Sequence, residues 1–149
     1  LLARLRAGRL RPEKAVGWAA RLEAVRLATV RADTAAAGAR LVVPGDEEWP
    51  LCADELAAFE DGSPERRAGA PLGLWIRGPR SLGGLCGLAV AIVGARAATE
   101  YGLHVAGDLA AGCAQLGATV VSGAAYGIDA AAHRGALAVD GCTVAKMLR

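Results

Sequence analysis

The sequence predicts an α/β fold: a parallel β-sheet crossed by helices, preceded by a helical segment. Three observations carry this. From Leu88 onward, apolar runs alternate with helical stretches in the order strand, helix, strand, helix, strand, joined by short links. The runs "LAVAIVG" and "ATVVSG" are continuously apolar, as in strands buried on both faces, where a half-buried strand would alternate. Before residue 40 the apolar residues Val16, Ala19/Ala20, Val25 and Leu27 recur near a 3.6 period instead. Strand–helix–strand units of this kind imply right-handed crossovers.

The elements follow in order. Pro12 suits a first helical turn and Gly38 a stop, with a break allowed near Asp33. "ARLVVPGDEEWP" gives a short strand, Arg40 to Val43, and a Pro-Gly turn. Residues 51–70 mix acids with Gly62 and Pro64 and read as a short helix plus loop. "PLGLWIRG" is a second short strand. After "LAVAIVG", the stretch "TEYGLHVAGDLAAGCAQLG" is helical, with Thr99 as N-cap and Gly117 as stop. "ATVVSG" is a strand, "GIDAAAHRGALAVDG" a helix and "CTVAK" a final strand. Trp18, Trp49 and Trp75 lie among apolar neighbours and read as core or interdomain packing.

Composition sets limits. Aromatic residues make up only 4% of the chain, so its core must be built from Ala, Val and Leu. No uncharged apolar run is long enough to span a bilayer, and no membrane partner is expected. The basic start "LLARLRAGRLRPEK" lacks the apolar centre of a signal peptide. It also lacks an initial Met, which predicts an incomplete N-terminus. The four cysteines form no C-x-x-C, so reduced thiols in a cytosol are expected, and no zinc site. Residues 1–40 carry nine Arg/Lys against three Asp/Glu, residues 41–88 four against eight, and residues 89–149 four against four. The basic N-terminal segment suits nucleic acid, or simply a solvated helix surface.

The chemistry gathers at the carboxyl ends of the predicted strands, where open parallel sheets bind ligands. The first loop, "GARAAT", does not spell G-x-G-x-x-G: counted from Gly94, the next two glycines would fall on Arg96 and Thr99. The ribose-binding acid at the end of the second strand is replaced by Ser122 and Gly123. A dinucleotide is therefore disfavoured, and no P-loop motif exists. An anion site of another kind remains. Gly94 allows close backbone approach, Thr99 opens a helix whose first N–H groups attract anions, and Arg96 can fork onto phosphate oxygens. In "SGAAYGID", Ser122 offers a hydroxyl and Gly123 and Gly127 allow tight backbone geometry. Tyr126 can stack on a base or stand as a plain surface residue. The glycines equally suit tight strand–helix turns with no ligand. Asp129 and His133, four apart, share a helix face. No nucleophile motif, paired carboxylates or metal triad accompanies them, so structural roles are expected, with no catalytic residue, metal or cofactor.

Taken together, "VVPGDEEWP", "PLGLWIRG", "AVAIVGARAATEYG" and "VVSGAAYGIDAAAHRGAL" closely resemble the DprA/Smf family, the DNA-processing proteins of bacterial natural transformation. The similarity spans nearly the whole chain. It implies a small helical, SAM-like domain over residues 1–40 and, from residue 41 to 149, the N-terminal part of an extended Rossmann-like domain, incomplete at its C-terminus. It also implies single-stranded DNA binding in the cytoplasm, protection of incoming strands, handover to the RecA recombinase, a homodimer in intact members, and no catalytic turnover. The arginine of the family's V-G-[SA]-R motif falls on Arg96. The S-G-x-A-x-G-I-D motif falls on Ser122, Gly123, Ala125, Gly127, Ile128 and Asp129, continued by His133 and Arg134. Family members go on from the "TVA" strand to another glycine turn and a Y-P motif. This chain reads "TVAKMLR", which predicts a frameshifted or truncated tail, with Lys146 interrupting a buried strand. Two other readings stand beside this one. A nucleotide-hydrolysing Rossmann enzyme of the phosphoribohydrolase kind would need a P-G-G-x-G-T loop, which the chain lacks. A non-functional remnant would fail to fold.

Overall fold

A computed structural model describes residues 26–56 and 71–147 of the 149-residue chain. The part of the expected helix before Arg26, including Trp18, and the 57–70 part of the expected helix plus loop lie outside the described residues. Of those described, 26–41 and Leu74–Gly78 belong to one compact unit and the rest to a second.

In the first unit, α1 covers Leu27–Ala36. Arg26 is extended (φ −85°, ψ 121°), so the helix starts at Leu27. The helix does not break near Asp33, where the sequence allows it: the Asp33 carbonyl accepts the Ala37 N–H at 2.9 Å and the ladder runs on. Gly38, at φ +61°, ends the turn as expected. β1 (Ala39–Val42) pairs with β2 (Leu74–Arg77). Leu74 and Ile76 turn inward while Trp75 and Arg77 face out, the two-residue alternation of a strand with one covered face. Trp75 is thus exposed, contrary to the expected packing role, and its indole N–H donates to Thr34 Oγ1 at 3.1 Å.

The second unit holds α2 (Cys52–Glu55), α3 (Leu82–Cys86) and the parallel sheet. Trp49 is buried and donates to Asp54 Oδ1 at 2.9 Å, and Gly83 N–H bonds Glu48 O at 2.9 Å. The sheet consists of β3 (Ala89–Ala91), β4 (Thr119–Ser122) and β5 (Thr143–Ala145), in that order and all parallel. Val90 stands opposite Val120, and Val121 opposite Val144. The crossovers are α4 (Glu100–Gln115) and α5 (Ile128–Leu137). Thr99 caps α4 and Gly117, at φ +84°, follows its end, both as the sequence predicts. This is a Rossmann-like arrangement, the α/β class predicted.

Small side chains let these layers close up. Ile92 and Val120 pack against Ala106, Ala110, Ala131, Ala132 and Ala136, with Val90, Leu103 and Ile128 at the margin. Where the helices cross, a Cβ on Gly135 would overlap the Gly107 carbonyl oxygen, so the two backbones touch. The strand β3 is not buried on both faces as its apolar run suggests, whereas β4 is covered on both, with Thr119 only 4% exposed on one face and Val120 fully buried on the other. Among the described residues both helices meet the same sheet face, and Ala89, Ala91 and Val93 on the other are exposed. No helix among the described residues is long and apolar enough to cross a membrane. Cys52, Cys86, Cys113 and Cys142 are free thiols.

Candidate nucleic-acid interface

Two loops leave the carboxyl ends of β3 and β4, from Ile92 to Thr99 and from Gly123 to Gly127. Their bases are pinned together. Ile92 donates its N–H to Val121 O at 3.0 Å, and the Ser122 hydroxyl donates to Ile92 O at 2.6 Å. Ser122 is only 2% exposed, so its hydroxyl anchors the first loop from inside the sheet.

Further out the loops interlock. Ile128 N–H donates to Ala95 O at 3.2 Å. Gly127 holds φ +82° and lies against the Ala95–Arg96 peptide, where a Cβ would overlap both carbonyl oxygens. Gly94 meets the Ile128 side chain, and a Cβ there would stand 2.7 Å from Cγ1. Asp129, 6% exposed in the first turn of α5, reaches both loops. Its Oδ1 accepts from Gly94 N–H at 3.3 Å and its Oδ2 from Ala125 N–H at 3.4 Å. Gly123 lies beside the same carboxylate, leaving 2.7 Å between Oδ2 and any added Cβ. The helix start also favours a negative charge there. Ala124 takes a left-handed φ of 58° just before Ala125, a modest strain for a residue with a side chain.

What faces outward is a short list. Arg96 is exposed and pairs with no acid among the described residues. Thr99 Oγ1 accepts from Gly102 N–H at 3.2 Å, while the N–H groups of Glu100 and Tyr101, a few residues after Arg96, have no intrahelical partners. Tyr126, 86% exposed, stands at the tip of the second loop. The sequence pattern missed one further cation. Lys146 does not interrupt β5, which ends at Ala145. Its N–H donates to Ser122 O at 2.7 Å and its side chain is exposed, on the edge from which both loops rise. The signal lay in counting: a three-residue strand from Thr143 ends one residue before it.

Asp129 and His133 do not form an acid–base pair. His133 Nδ1 lies 2.6 Å from Thr143 Oγ1, and that hydroxyl donates to Val120 O at 2.8 Å. The Thr143 proton is therefore used, so the imidazole donates from Nδ1, while its Nε2 is buried with no partner among the described residues. Asp129 ties the loops, while His133 straps α5 to the sheet. No group of three potential metal ligands exists among the described residues.

Fold and site together define a class: a Rossmann-like domain whose two strand-end glycine loops are locked to each other and present an arginine. Within that class, the chain belongs to the family of DNA recombination-mediator protein A, whose model matches residues 40–148. It is 49% identical over 144 residues to the DNA processing protein DprA of two strains of Mycobacterium tuberculosis. That match covers 95% of this chain and 36% of each relative, so the chain spans little more than a third of their length. The family indicated by the sequence motifs is thus the one the comparisons show.

Proposed function

We propose that this chain carries the DNA-backbone contact of a recombination mediator. In this reading it binds single-stranded DNA entering the cytoplasm during natural transformation, protects it and passes it to the RecA recombinase. It acts by binding, with no turnover and no cofactor, and its longer relatives' homodimer belongs to the same proposal. In the same proposal residues 1–40 are a SAM-like helical domain and 41–149 the N-terminal part of an extended Rossmann-like DNA-binding domain. The observation that carries the reading is Arg96: an exposed guanidinium, free of acidic partners among the described residues, on a loop fixed by Gly94 and Gly127 beside the Thr99-capped helix start. Tyr126 supplies a stacking surface, and Ser122 and Gly123 hold the loops in place. A fixed cation and fixed N–H groups recognise phosphates without reading bases.

The test is fluorescence anisotropy with a labelled oligonucleotide across a salt series. Binding should be nearly independent of sequence and weaken steeply with salt. Arg96→Ala should flatten the logarithmic salt slope by about 0.7, the loss of one contact to a single strand. Equal binding and slope with and without Arg96, or a preference for a dinucleotide, would overturn the reading.

A further inference from the structure

We infer that Asp129 is a built-in anion: its carboxylate occupies the seat that the two glycine loops would otherwise offer a compact phosphate, and so leaves a nucleic-acid backbone to be held from outside by Arg96. In strand–glycine–helix loops that bind phosphate, the N–H groups just after the strand point at the ligand. Here the Gly94 N–H is already given to Asp129 Oδ1 and the Ala125 N–H to Oδ2. The carboxylate is buried, and no basic side chain among the described residues pairs with it, so these N–H groups and the start of α5 are its counter-charge. Gly123 passes close enough to leave no room for a second group beside Oδ2. A terminal phosphate entering this seat would have to expel Asp129 or stand against its charge in a poorly solvated place. A phosphodiester running over the surface meets Arg96 and avoids both costs. Asp129 is thus a positioning residue that also excludes mononucleotides. The exclusion rests on the reading of Arg96 as the backbone contact; the locking of the loops does not.

The experiment uses the 149-residue chain, its Asp129→Ala and its Asp129→Asn variants. Asp129→Ala leaves two N–H groups facing a hole the size of a carboxyl. Formate, compared with chloride at equal ionic strength, should raise its melting temperature by several degrees and leave the unsubstituted chain unmoved. Excess deoxyadenosine monophosphate should displace a labelled oligonucleotide from Asp129→Ala and not from the unsubstituted chain. If the unsubstituted chain binds no oligonucleotide, the Arg96 reading fails while the formate comparison still decides the locking. If Asp129→Ala does not fold, amide exchange decides: Gly94 and Ala125 should both be protected in the unsubstituted chain, and at least one of them should lose protection in Asp129→Asn, which keeps a single acceptor oxygen, while Ile92 keeps its own. Equal exchange in both proteins, or an equal formate response, would overturn the inference.

Discussion

Arg96 is positioned by other residues' backbones. Gly127 presses on the Ala95–Arg96 peptide, and Ile128 N–H holds the carbonyl before it. Gly127→Ala therefore acts on Arg96 without touching its charge. The new Cβ must push the Arg96 peptide away and also accept φ +82°, so a destabilisation of about 1–3 kcal/mol is expected. Oligonucleotide affinity should fall with it, and a thermal melt read beside the anisotropy separates the two effects. Cys86 offers a residue-scale prediction away from the site. Burial pushes its thiol up from the ordinary 9.0, and the neighbouring Cys52 adds to this by charge and hydrogen bond. At pH 8 iodoacetamide should modify exposed Cys52 first, by mass spectrometry, and Cys52→Ala should quicken the reaction at Cys86. The stabilising share of this protonated thiol is present below the unfolded pKa and is lost as pH rises through the raised folded value. It therefore weakens the protein only on the alkaline side, and modestly, because the thiol is half-buried.

At the scale of elements, the crossing of α4 and α5 is the tightest packing described. Gly135→Val must force the two backbones apart at Gly107. A loss of about 2–4 kcal/mol is expected, in urea or thermal unfolding, well beyond the cost at a helix position with open space beside it such as Gly112, where nothing stands within 4 Å of an added Cβ. How much of this was legible depends on the range of each signal. The ends of α4 were readable because Thr99 and Gly117 act within one turn of where they stand. The order of strands and helices was readable because continuous apolar runs and helical spacing are local patterns. The outward face of Trp75 was not, since its short run does not say which side is covered. Nor were the ties of Asp129, which join residues that no periodicity relates; sequence alone placed Asp129 on a helix face with His133 and left its two partners unseen. Arg96 was legible as a cation after a glycine, but its exposed setting became visible only with the loops folded against each other.

At the scale of the molecule, the described sheet offers other chains a route to attach. Its face opposite the helices carries exposed Ala89, Ala91 and Val93, and the outer edge of β3 pairs with no strand among the described residues. Neither charge nor proline guards that edge within Ala89–Ala91, the usual devices against edge pairing. The 149-residue chain should therefore associate as its concentration rises. Sedimentation velocity over a hundredfold range checks this, and a single monomeric species throughout would contradict it. The same layout fixes an order of events. β3, α4, β4, α5 and β5 are consecutive, and each strand pairs with the next one made, so the core can close as the chain lengthens, with mostly short-range contacts. The Gly94 N–H is an exception. Its acceptor lies 35 residues further on, in a helix that docks only after β4 is in place. A newborn chain thus carries its arginine loop unfinished until the second crossover arrives. The helix that joins β4 to β5 is therefore also the one that fixes the shape of the loop before it.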